Sequence, residues 1–78
     1  MRVIKQINLC NIEVDNYSIS PQTLDLCMKI KSGEVKIEDL PPIKVHWNGI
    51  IFKLTDGRHR ITAMKLLGET EIKAKYYE

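Results

Sequence analysis

The sequence predicts an α+β fold: a small mixed sheet of about four strands with two main helices. Three observations carry this expectation. Apolar, alternating runs recur at 2–10, 43–54 and 71–77. Two stretches between them read as helices, each closed by a glycine, and turn residues mark the boundaries. The chain of 78 residues is one domain, with 44% hydrophobic and 28% charged residues, which is ordinary for a globular protein and unlike a disordered one.

Residues 2–10 (RVIKQINLC) are β-branched with rough alternation, and Val3, Ile7 and Leu9 share a face, so the first element is a strand. Asp15-Asn16-Tyr17-Ser18 is turn chemistry. Ser20-Pro21 supplies an N-cap and a proline at the first helical position. In the helix that follows, Leu24, Cys27 and Met28 fall at i, i+3, i+4, and Leu26 and Ile30 widen the stripe toward the core. Ser32-Gly33 ends it. Residues 37–40 form one helical turn, stopped by Pro41-Pro42.

Ile43–Trp47 alternates cleanly, Asn48-Gly49 follows, and a second apolar run reaches Leu54. Asn-Gly between two such runs predicts an antiparallel hairpin with a type I′ turn. A helix over 57–67 comes next, with Gly68 as its left-handed cap. In the closing strand, Glu71–Tyr77, one face holds Ile72, Ala74 and Tyr76, and the other holds Lys73 and Lys75 as edge protection. Trp47 is expected in the core, with base stacking as its functional alternative.

Cys10 and Cys27 form no CxxC and no metal set with His46 and His59, so free, buried thiols are expected. No apolar run spans a bilayer and no signal-peptide core follows Met1, which points to a cytoplasmic, reduced setting with no membrane partner. The net charge of +2 is too small to establish nucleic-acid binding.

The chemistry concentrates at Asp56-Gly57-Arg58-His59-Arg60, where a strand feeds a helix. A helix start offers unpaired N–H groups and the positive end of the dipole, and Gly57, Arg58, His59 and Arg60 there make a phosphate site. Arginines at this position oppose the dipole unless an anion answers them. Asp56 serves as the helix N-cap, worth about 1 kcal/mol, or else helps hold a nucleotide-bound metal. His59 donates to a phosphate, carries a proton, or packs inward on a backbone carbonyl. Thr62 adds a hydroxyl or bonds back to its own helix. Glu13 and Asp15 are the candidates for positioning a nucleophile.

Pro41-Pro42-Ile43-Lys44-Val45, Asp56–Ala63, Leu67-Gly68, Ile72 and Ala74 together resemble the ParB/sulfiredoxin-like superfamily, whose core reads P-I-x-V … (D)G-x-H/R-R-x-x-A … G … I-x-A. The second half of the chain carries the match closely and the first half loosely. The positions that fit the shared phosphate motif are Gly57, His59, Arg60 and Ala63. The resemblance implies a domain that binds a nucleoside triphosphate, CTP or ATP, with Mg2+. ParB proteins hydrolyse CTP, sulfiredoxins use ATP, and free serine kinases transfer a phosphoryl group, so CTPase, ATPase and kinase-like chemistry stay open. Sulfiredoxins place a nucleophilic cysteine between the glycine and the histidine. Here Arg58 stands there, which removes that chemistry. Asp15 to Ser20 lacks the arginine box of ParB, and the 78 residues contain no counterpart of its helix-turn-helix. Two alternatives accompany this expectation. One is a DNA-associated protein or nuclease of a phage or mobile element. The other is a protein-interaction or inhibitor module, with a protein partner or a homodimer.

Overall fold

A computed structural model describes residues 1–17 and 19–77. Its elements are β1 (Arg2–Asn8), a 3-10 turn (Leu9–Asn11), β2 (Ile12–Glu13), α1 (Pro21–Ser32), a second 3-10 turn (Ile37–Asp39), β3 (Ile43–Trp47), β4 (Phe52–Asp56), α2 (Arg58–Leu66) and β5 (Glu71–Tyr77). The sheet order is β1-β5-β3-β4-β2. β1 with β5 and β3 with β4 are antiparallel, whereas β3 with β5 and β2 with β4 are parallel. The α+β class and the two helices stand as expected. A fifth strand joins the four, because the first run breaks: Asn8 caps a 3-10 turn by accepting from Cys10 N at 3.1 Å. The chain then resumes as the two-residue β2, too short to show a period.

Ser20 Oγ caps α1 by accepting from Thr23 N, Pro21 follows at the first position, and Gly33 closes the helix at φ 83°. The buried stripe differs from the one the spacing suggests. Leu24 and Met28 are 49% and 70% exposed, and Thr23 is fully buried. Leu26, Cys27 and Ile30 are the apolar residues of α1 that pack on the core. The sequence offers two overlapping stripes, and contact with α2 selects the one centred on Thr23. Ser18 of the preceding turn lies outside the described residues.

β3 and β4 form the antiparallel hairpin, but four residues join them. Among the described non-glycine residues none has positive φ, so Asn48 does not take the type I′ conformation. Asn48 Oδ1 instead accepts from Ile50 N and Ile51 N, both at 2.9 Å, and Trp47 registers with Phe52. Ile50 is thereby left 86% exposed. At the far end of α2, Gly68 at φ 80° caps the helix, and Glu69 N donates to Met64 O at 3.0 Å.

The core holds Ile7, Ile12, Ile43, Val45, Ile61, Ala63, Met64, Ile72 and Ala74. Three further expectations change. β5 lies between β1 and β3, so Lys73 and Lys75 do not guard an edge. Trp47 is 45% exposed and packs on Phe52 at 4.8 Å, at the rim of the core. Both cysteines are free, but Cys10 is exposed and only Cys27 is partly buried. Among the described residues, no helix is long and apolar enough to cross a membrane.

The packed face of α1 is testable by substitution. Leu26→Ala should cost about 1–3 kcal/mol in urea unfolding, since it removes a partly buried side chain. Met28→Ala should stay within about 0.5 kcal/mol of the parent.

Candidate functional site

The strand-to-helix turn is built on one glycine. Gly57 has φ 108° and is the N-cap of α2, with no side-chain cap bond. A Cβ there would meet Ile43 Cγ2 at 2.5 Å and Ile43 Cβ at 2.8 Å. Ile43 is fully buried. Glycine is therefore demanded by both backbone and packing: the turn is pressed onto the start of β3. Asp56 is the last residue of β4, so the expected Asp56 cap does not form. Asp56 lines the hollow described next.

The helix begins with Ile61 N donating to Gly57 O at 3.0 Å. The N–H groups of Arg58, His59 and Arg60 come before that bond, and no side chain caps them. Asp56, Gly57, Arg58, His59 and Arg60 line one open hollow of about 570 Å³. The five consecutive residues singled out in the sequence thus share one concavity. Their tips diverge. Arg58 Nη1 donates to Asn16 Oδ1 at 3.2 Å on one flank. Arg60 Nη1 points to Pro41 O at 3.4 Å on the other, a long contact.

His59 is not held by a backbone carbonyl. Its Nδ1 lies 3.1 Å from Thr23 Oγ1 and 3.2 Å from Ser20 Oγ, so hydroxyls rather than a backbone carbonyl hold the ring. Ser20, Thr23 and His59 tie the start of α1 to the start of α2. With Nδ1 engaged there, Nε2 is the nitrogen left for a ligand. Sequence spacing could not show this cluster, because its members are 36 and 39 residues apart. Only the N-cap identity of Ser20 was legible.

Thr62 drops out of the site. It is buried, and its Oγ1 donates to Arg58 O at 2.7 Å within the same helix. Glu13 and Asp15 lie next door, in a cleft of about 100 Å³ shared with Lys53, Leu54 and Arg58. Arg58 borders both spaces and links the acidic pair to the hollow. Among the described residues, no group of three His, Cys, Asp or Glu side chains could hold a metal ion. Asp56 is the one carboxylate residue lining the hollow, and an Mg2+ carried by phosphates needs only one or two carboxylates beside substrate oxygens.

No protein-family model and no curated protein matches the chain. Solved structures do. Sulfiredoxin from Arabidopsis thaliana is 21% identical, with a TM-score of 0.78 over 97% of this chain and 85% of that one. A conserved hypothetical protein from Pyrococcus furiosus is 13% identical, with a TM-score of 0.77 over 96% of this chain and 32% of that one. SbnI from Staphylococcus aureus, truncated at its C-terminus, is 19% identical, with a TM-score of 0.70 over 96% of this chain and 30% of that one. The chain therefore spans about a third of the length of the last two. The fold is ParB/sulfiredoxin-like.

Gly57→Ala should cost about 2–4 kcal/mol, from strained backbone and overpacking together. Combining it with Ile43→Ala separates the two causes in a double-mutant cycle by urea unfolding. The pair should be less destabilised than the sum of the singles. Strict additivity would show that the Ile43 contact is not the constraint.

Proposed function

We propose that the chain binds a nucleoside triphosphate, CTP or ATP, with Mg2+, by holding its phosphates at the start of α2. The observation that carries this is the hollow at Asp56–Arg60, where uncapped N–H groups coincide with two arginines. Each feature is unfavourable without an anion. Orphan N–H groups want an acceptor, and cations in the first turn oppose the dipole. A phosphate answers both. The ParB/sulfiredoxin-like fold supports the same reading, since a sulfiredoxin is among the structures this chain is similar to.

The parts then fall into roles. Backbone N–H groups of residues 58–60 and the guanidiniums of Arg58 and Arg60 receive phosphate oxygens. His59 Nε2 faces the same charge while Nδ1 stays anchored to Ser20 and Thr23. Asp56 offers one oxygen to a phosphate-bound Mg2+, which would neutralise charge on the phosphates. Turnover needs in addition a group that positions a nucleophile. Glu13 and Asp15 share the neighbouring cleft with Arg58. Sulfiredoxin chemistry is not part of the proposal, because Arg58 occupies the motif position where it requires a thiol.

Thermal melting with Mg-CTP and Mg-ATP tests binding directly. At a hundred times its Kd a ligand stabilises by about 2.7 kcal/mol. Arg60→Ala should weaken binding by roughly ten- to a hundredfold, the loss of one charge-assisted contact of about 1.5–3 kcal/mol. Without ligand its stability should be unchanged or slightly higher, since a first-turn cation is gone. Unfolding of ligand-free Arg60→Ala would make Arg60 a structural residue instead.

A further inference from the structure

The sheet has a second face that no helix covers. Strand alternation places Arg2, Ile4 and Gln6 of β1, Lys44 and His46 of β3, Lys53 and Thr55 of β4, and Glu71, Lys73, Lys75 and Tyr77 of β5 on the side away from the core, with Lys73 Nζ donating to Glu38 O at 3.0 Å. The register sets two lysines side by side. Lys44 is the direct neighbour of Lys75 on β5, and its partner on β4 is Asp56. Like charges in this arrangement destabilise a sheet. Among the described residues neither Lys44 nor Lys75 is ion-paired. Arg2, Lys44, His46, Thr55, Lys75 and Tyr77 border an open hollow of about 280 Å³.

This hollow runs into a second one of about 270 Å³ at the end of the sheet, lined by Trp47, Phe52, Tyr76 and Tyr77. The aromatic end is built by topology. The parallel pair β3 and β5 finish there, and β1 and β4, antiparallel to them, begin there. Tyr77 is 68% exposed, and Arg2 lies over its ring at 5.4 Å while donating to its hydroxyl. The surface thus joins Arg2, Lys44 and Lys75 to the exposed ring of Tyr77. That combination matches a strand of phosphates with unstacked bases, because rings stack on any base and cations track the backbone.

We propose that the uncovered face of the sheet binds single-stranded nucleic acid, with phosphates on Arg2, Lys44 and Lys75 and a base against Tyr77. An acidic peptide would use the cations but gain nothing from the exposed ring. A duplex keeps its bases stacked and out of reach. This surface is on the face away from α2, so it does not depend on the phosphate hollow at Gly57–Arg60.

Fluorescence anisotropy of a labelled oligothymidylate, titrated at several salt concentrations, tests the proposal. Three neutralised phosphates predict a log–log salt slope of about −2. The variant Lys44→Gln with Lys75→Gln should bind at least about tenfold more weakly and show a slope near −0.7. Its melting temperature should match or exceed the parent's, because the like-charge pair is gone. Lys44→Gln alone, at an exposed position, serves if the double variant does not fold. Tyr77→Ala should weaken binding without changing the slope, and Arg60→Ala should leave it unchanged. Wild-type affinity in the lysine variants would overturn the proposal. So would equal binding of a polyglutamate peptide, tighter binding of a duplex of the same length, or no binding at low salt.

Discussion

The contact between Gly57 and Ile43 is the constraint on which the rest of the structure depends. Ile43 is buried on every side and registers with Ala74, itself fully buried. Small residues thus stand at two places around it: alanine on β5 and glycine at the strand-to-helix turn. The absence of a Cβ at Gly57 lets the turn lie on β3, which fixes where α2 starts and which way its first turn faces. Ile61 and Met64 then drop into the core from the same helix. Arg58, His59 and Arg60 are left at the rim.

A near-neutral chain hides how unevenly its cations are placed. At the start of α2 they stand against the helix dipole. On the uncovered face of the sheet Lys44 lies beside Lys75. On α1 Lys29 and Asp25 form an exposed ion pair at 3.1 Å, and the carboxylate raises the Lys29 pKa. A surface pair of that kind contributes little to stability. Folding is carried by the buried aliphatic residues.

Much of this was legible in the sequence, for identifiable reasons. Ser20-Pro21, Gly33 and Gly68 mark helix ends through local backbone chemistry that tertiary contacts do not alter. Ile43–Trp47 alternates strictly, so its strand was plain. What escaped depends on partners distant in the chain. The burial of Thr23 in place of Leu24 is decided by His59 and α2. The loop at Asn48 is set by two bonds to its own side chain, which override the expected type I′ turn. Asp56 looked like a cap because it precedes a helix, yet the Ile43 contact gives that place to Gly57. The five residues of the hollow were legible as a group, since they are consecutive, whereas the divergence of the two arginine tips was not.

Amide chemical shifts test the central claim most directly. Titrating Mg-CTP and Mg-ATP into the labelled protein should move the backbone N–H signals of Arg58, His59 and Arg60 first and furthest, because those uncapped donors would gain the phosphate oxygens as acceptors. Signals from Lys44, Lys75 and Tyr77 should shift little. Saturable shifts confined to that second set, or none at the start of α2 with either nucleotide, would contradict the assignment of the helix start as a phosphate site.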